Sequence, residues 1–180
     1  MALILPWVAL SWFMWSWKST VWRALAQETI PSRFVDIDEA IKKDFIQMPI
    51  WDFIWKFWMN SFRAIESQAI AEILWQNFDE TFQVLSLWWW AVTIQQNVER
   101  IKKASFKLVY LDVPFDIIAQ RLREDYDWNK DRVPFDEWKF WWLYNDRQEI
   151  YHWTADFVVS NMWEVEEAVE QILWKLKIAA

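Results

Sequence analysis

Hydrophobic and polar positions along the chain follow two periods. Short apolar runs stand at residues 8–11, in RFVDID, FQVLSL and FKLVYLDV, and in ADFVVS near the end. Such runs, rich in branched and aromatic residues, predict buried strands. Between them the period lengthens to that of a helix. Val21, Leu25 and Ala26 mark the inner side of a helix from Lys18 to about Thr29. Residues 38–47 and 50–57 predict two short helices separated by Pro49. Ile65, Ala69, Ile73 and Leu74 share one face of a longer helix over 61–74. Further helices are predicted at 93–104, 114–125 and 139–152. Arg100, Lys102 and Lys103 suit the negative end of the first, and Pro114 opens the second as an N1 residue. Val165, Val169, Ile172, Leu173 and Leu176 form one stripe on a last helix. Residues 126–138 are polar and mixed in charge, the pattern of a mobile loop. Strands alternating with helices predict an α/β domain with a parallel sheet covered on both faces. No repeat or linker divides residues 1–180, so a single domain is expected.

Composition narrows the function classes. A formal net charge of −7 argues against a general nucleic-acid binder, which shows a basic patch or stripe. The chain has no cysteine, which removes disulfides and thiolate metal sites and fits a reducing compartment. The apolar start MALILPWVAL lacks a basic n-region and gives way to a Lys-containing segment, too short for a membrane span. A soluble, cytoplasmic protein is expected.

Two counts are abnormal. The chain holds 19 Trp and no Gly. Ordinary usage would place about 13 glycines in a chain of this length. The tryptophans follow no structural period. Trp75 closes an amphipathic helix where a C′ glycine is expected, Trp128 sits in the turn-like DYDWNKD, and Trp163 precedes the last helix. Trp7 follows Pro6, and Trp88, Trp89 and Trp90 stand together after a strand. These are punctuation positions, where glycine normally stands. Every glycine position is read here as replaced by tryptophan.

Residues 12–19 are W-F-M-W-S-W-K-S. Read with glycine at Trp12, Trp15 and Trp17, they form a phosphate-binding loop of the G-x-x-x-x-G-K-S type, after a strand and opening a helix. The backbone N–H groups of such a loop point at phosphate oxygens. Lys18 reaches the outer phosphates, Ser19 ligates Mg²⁺, and Thr20 follows in the same helix start.

Four further features accompany the loop. FVDID supplies Asp36 and Asp38, SFRAIE supplies Arg63 and Glu66 one helical turn apart, and LSLWWWAV is a triple glycine in disguise. NDRQEIYHWTAD places Arg147, Tyr151, Ala155 and Asp156 in an R-x3-Y-x3-A-D spacing. In this order, over nearly the whole chain, the set resembles shikimate kinase. The resemblance implies a five-stranded parallel sheet with helices on both faces and a lid over about 126–138. It implies ATP and Mg²⁺ as cofactors and shikimate as the small-molecule substrate, phosphorylated on its 3-hydroxyl. Lys18 and Arg132 would serve the transferred phosphoryl group. Asp38 would bind the substrate hydroxyls and receive the proton, Asp36 would support Mg²⁺ beside Ser19, and Glu66 would orient Arg63. Arg63 and Arg147 would bind the substrate carboxylate, and positions 88–90 would line its pocket. The chain departs from the family at DRVPF, where Val133 separates Arg132 from Pro134.

Outside that pattern, isolated Arg and Asp residues are ordinarily solvated surface groups. His152 is expected at an exposed helix end, and Glu164, Glu166 and Glu167 as charges favourable to a helix start. The tryptophans change the functional expectation. An indole neither permits positive φ nor lets backbone approach a phosphate. Overpacking costs about 1–3 kcal/mol per buried site against a total stability of about 5–15 kcal/mol. The chain is therefore expected to lack ATP binding and phosphoryl transfer, and to fall short of a stable native state. A monomer is expected if it folds, and self-association through exposed indoles if it does not. The alternatives are a kinase that still works around its indoles and a non-enzymatic aromatic-rich chain.

Overall fold

Five apolar runs pair side by side because each carries its backbone donors and acceptors into the interior, where only a neighbouring strand can satisfy them. The computed structural model describes residues 6–13, 18–29, 31–76, 81–128, 136–162 and 164–179; the side chains at 18, 19, 125–128 and 179 are outside that description. The strands are β1 (Trp7–Trp12), β2 (Ser32–Asp36), β3 (Phe82–Ser86), β4 (Phe106–Asp112) and β5 (Phe157–Ser160). They form one sheet in the order β2-β3-β1-β4-β5, and every pairing is parallel. β1 lies at the centre, with Leu10 opposite Ser86 of β3 and Val109 of β4.

The alternation of strand side chains sorts the core into two layers. Val8, Leu10, Val84, Val109, Leu111 and Val159 meet α1 (Lys18–Glu28) and α7 (Val165–Ala179). Ala9, Leu85, Leu108 and Tyr110 meet the other helices. These are α3 (Ile50–Trp75), α4 (Gln95–Lys103), α5 (Phe115–Trp128) and α6 (Glu137–Thr154). The expected α/β sheet with helices on both faces is what the structure shows.

Several boundaries differ from the sequence expectation. The second strand stops at Asp36, whose side chain caps the short helix α2 (Ile37–Ala40) by accepting from the Asp38 backbone N–H at 2.9 Å. Asp38 therefore stands in the first turn of α2, not on the strand. The helix then widens to a π-type turn over Ile41–Ile46, ended by left-handed Gln47. The two helices expected on either side of residue 60 run together as α3, with a break at Trp58. Its buried face centres on Phe62, Glu66, Ala69, Ile70 and Ile73, so Ile65 and Leu74 flank the stripe. A polar residue at its centre hid that register from the hydrophobic pattern.

Gln76, in extended conformation, ends α3, and no left-handed residue is found at Trp75. α4 begins at Gln95, after a single 3₁₀ turn at Ala91–Thr93. Pro114 precedes α5 and lends its carbonyl to the Ile118 N–H, the role of a cap instead of a first helical residue. The loop expected at 126–138 is shorter at both ends, because α5 continues to Trp128 and α6 starts at Glu137, capped by Asp136. Residues 129–135, with Arg132, lie outside the described residues, as do Trp15, Trp17 and Trp163.

Candidate active site

The C-terminal ends of β1, β2 and β3 open toward one region, where crevices form in open α/β sheets. The turn from β1 into α1 carries the phosphate-loop sequence. Lys18 and Ser19 are the first residues of α1, where unpaired backbone N–H groups favour an anion. Thr20 is exposed one residue further on. Trp12, at the end of β1, is buried in the α1/α7 layer.

The carboxylates stand at the end of β2 and the start of α2, with Glu66 on α3. Asp36 holds the start of α2, as described, and Asp38 is half-buried near Glu66 and Arg63. Glu66 is fully buried on α3, and neither carboxylate oxygen has a hydrogen-bond partner. Burial pushes its carboxyl up to about 8; the like charge of Asp38 adds to the rise and Arg63 opposes it. Glu66 is thus mainly protonated at neutral pH. Among the described residues no group of three or more His, Asp or Glu gathers as a metal cluster.

The arginines converge from two helices. Arg63 comes from α3, and Arg147, only 4% exposed, comes from α6. Burial, and behind it the like charge of Arg63, lowers the proton affinity of Arg147. Arg63 Nε and Arg147 Nη1 are buried without hydrogen-bond partners. A buried and a half-buried guanidinium group with spare donors are, chemically, able to bind a carboxylate.

An indole lies against both guanidinium groups. The Trp90 ring lies 4.4 Å from Arg63 Cζ and 3.6 Å from Arg147 Cζ, with the Trp89 ring 4.4 Å from Arg147 Cζ on another side. The packing continues outward. Trp88 meets Phe62 edge-on at 4.3 Å, and Trp89 meets Phe13, the residue after β1, at 5.7 Å. Trp88 and Trp89 are 7% and 3% exposed, so the loop is part of the core. The donor set suits a small carboxylic acid, and the space between the donors is filled by aromatic rings.

The sequence named Tyr151, Asp156 and His152 but not the contacts they make. Tyr151, buried on α6, donates from its hydroxyl to the Trp89 carbonyl at 2.6 Å and stacks on Tyr110 at 5.0 Å. It ties the 88–90 loop to the helix that carries Arg147. Asp156 accepts from the Leu108 N–H at 2.8 Å and pairs with Lys102 at 3.2 Å, so the A-D end of the R-x3-Y-x3-A-D spacing is structural. His152 is exposed near the end of α6, as expected, yet faces Asp112 at 3.9 Å, a partner no sequence spacing could reveal. Tyr at a helical repeat from Arg147 was the available signal for the first of these.

Known proteins are similar to this chain in sequence and in fold. The sequence model of the shikimate kinase family matches residues 14–177. A shikimate kinase of Oceanobacillus iheyensis is 30% identical over 176 residues, covering 96% of this chain and 90% of the relative. One from Streptococcus thermophilus is 33% identical over 132 residues, or 71% of this chain and 77% of the relative. The structure of shikimate kinase from Acinetobacter baumannii in complex with shikimate matches with a TM-score of 0.80 at 24% identity, over 98% of this chain and 95% of that one. No described helix is long and apolar enough to cross a membrane. With one family matched from the phosphate loop to the last helix, the chain belongs to the shikimate kinase family.

Proposed function

We propose that the chain, with its tryptophans in place, is a closed shikimate kinase scaffold that transfers no phosphoryl group. The observation that carries this is the Trp90 indole between Arg63 and Arg147, where the substrate carboxylate would bind. Opened by glycine at the tryptophan positions, the same scaffold phosphorylates the 3-hydroxyl of shikimate at the expense of ATP.

The residues divide the work as the family's motifs imply. ATP with Mg²⁺ supplies the phosphoryl group. Lys18 and the N-terminus of α1 hold its phosphates, and Ser19 with Asp36 would hold the metal. Arg63 and Arg147 fix the carboxylate of the substrate through charge-assisted bonds. Asp38, on the first turn of α2, orients the hydroxyl and takes its proton. Arg132 is assigned to the charge on the phosphoryl group in flight. An exposed aromatic patch on α6, of Trp138, Trp141 and Trp142, favours self-association of the closed chain.

A coupled assay of ATP turnover with shikimate and Mg²⁺, on the soluble monomer fraction, tests both halves. Turnover only in the variant with all 19 tryptophans changed to glycine is expected. Turnover in both chains overturns the closed-site reading, and turnover in neither overturns the substrate assignment.

A further inference from the structure

Three kinds of site in the structure show that tryptophan does not fit where it stands. The first is surface. Twelve large hydrophobic side chains are exposed among the described residues; nine are Trp and one is Phe, although the chain holds 19 Trp and 13 Phe. Trp75 is 90% exposed and Trp55 81%. Among the described residues, phenylalanine is exposed far less often than tryptophan.

The second is hydrogen bonding. Buried indoles normally donate to a partner. Trp22, Trp89 and Trp90 have buried Nε1 atoms with none. Each such donor costs about 1–3 kcal/mol.

The third is backbone. Trp58 holds φ 69 and ψ 156, a region occupied almost only by glycine. Trp22 lies face to face on Phe34, with centroids 3.4 Å apart and planes 6° apart, the arrangement ring quadrupoles disfavour. A residue without a side chain there would let α1 approach β2 unhindered.

We propose that all 19 positions are glycine in the protein made by its own cells, where one codon that reads as tryptophan in this chain is decoded as glycine. Independent mutations would not remove every glycine and choose one replacement. A changed reading of one codon does so in a single step. The UGG and UGA codons differ from GGG and GGA at the first base only, so a glycine tRNA altered at one anticodon position suffices. The inference rests on the family assignment and not on loss of activity, and it explains why the family's motifs persist around the tryptophan positions.

The test uses the gene and the protein from its source cells. Trypsin releases residues 19–23, with Trp22, and residues 64–100, with Trp75 and Trp88 to Trp90. Peptide mass spectrometry is expected to find both lighter by an indolylmethyl group exchanged for a hydrogen at each such position, the masses of glycine. The gene is expected to carry one shared codon at all 19 positions, and neighbouring genes to use it where their relatives have glycine. Tryptophan masses in either peptide, or a mixture of codons at these positions, overturns the proposal. Turnover by the glycine variant is a separate matter: its failure would sink the substrate assignment and leave the decoding result standing.

Discussion

The tryptophans of the 88–90 loop and those of α6 are the same side chain in opposite surroundings. At 88–90 the rings enter the core, pack on Phe13 and Phe62, and lie against two arginines. On α6, Trp138 and Trp142 stand outside, 73% and 64% exposed, and touch mainly each other's neighbour Trp141. At 88–90 the indoles fill the space between the guanidinium groups, where buried polar atoms are left without partners. On the surface an indole displaces only water. The lesson is that the harm of a large residue depends on what its position was required to leave empty.

The comparison breaks most sharply by returning single tryptophans to a chain that carries glycine at the other positions. Trp at 90 alone is expected to abolish shikimate binding measured by calorimetry, while Trp at 138 alone leaves it unchanged. In the chain without tryptophan, Arg147→Ala should weaken binding at least about thirtyfold, since a buried charge-assisted pair loses its partner. Equal binding with and without Trp90 would show that the ring moves aside.

Glu66 sharpens the pocket side. With indoles kept at 88–90 and glycine elsewhere, the carboxyl stays buried and is held at about 8, against 4.5 for the free group. The folded state then binds more protons than the unfolded state between those values. Stability should fall as pH rises through that window and level off above it, by a total on the order of a few kcal/mol. Glu66→Gln should flatten the profile and be the more stable chain at the alkaline end. Urea midpoints across the window decide it; parallel profiles for the two chains would place Glu66 in water.

Much of this was legible in advance, and the limits have physical causes. All five strands and the helices between them could be placed without the tryptophans, because periodicity rests on the remaining residues. Asp36, Arg63, Glu66 and Arg147 were singled out through the family resemblance that their motifs carry. That Glu66 is the buried centre of α3 was not recognisable, since a hydrophobic pattern scores a carboxylate as surface. The anchoring of the 88–90 loop by Tyr151 joins residues far apart in the chain, so no local pattern carries it. The break at Trp58 was placed only as a gap between helices, because the residue that would announce a left-handed turn is absent. Tyr151→Phe, in the chain with glycine at the tryptophan positions, should raise the KM for shikimate about fivefold through one lost hydrogen bond. The KM for ATP should stay fixed; a rise in both would mean a general loss of structure.

Backbone strain gives the next effect. Returning Trp to position 58 alone should lower stability by about 1–3 kcal/mol, the cost of a side chain in a region glycine occupies freely. An unchanged urea midpoint would mean that the kink in α3 relaxes.

The smallest effect belongs to α6. Trp at 138, 141 and 142 together should shift stability by no more than about 0.5 kcal/mol, as exposed substitutions usually do. Its consequence is between molecules. Contiguous exposed aromatic surface favours contact with a second copy, so sedimentation velocity should show self-association rising with concentration. The chain with glycine there should stay monomeric under the same conditions. If the three indoles lower the melting midpoint as much as Trp58 alone, the surface is under strain as well, and the contrast between pocket and surface does not hold.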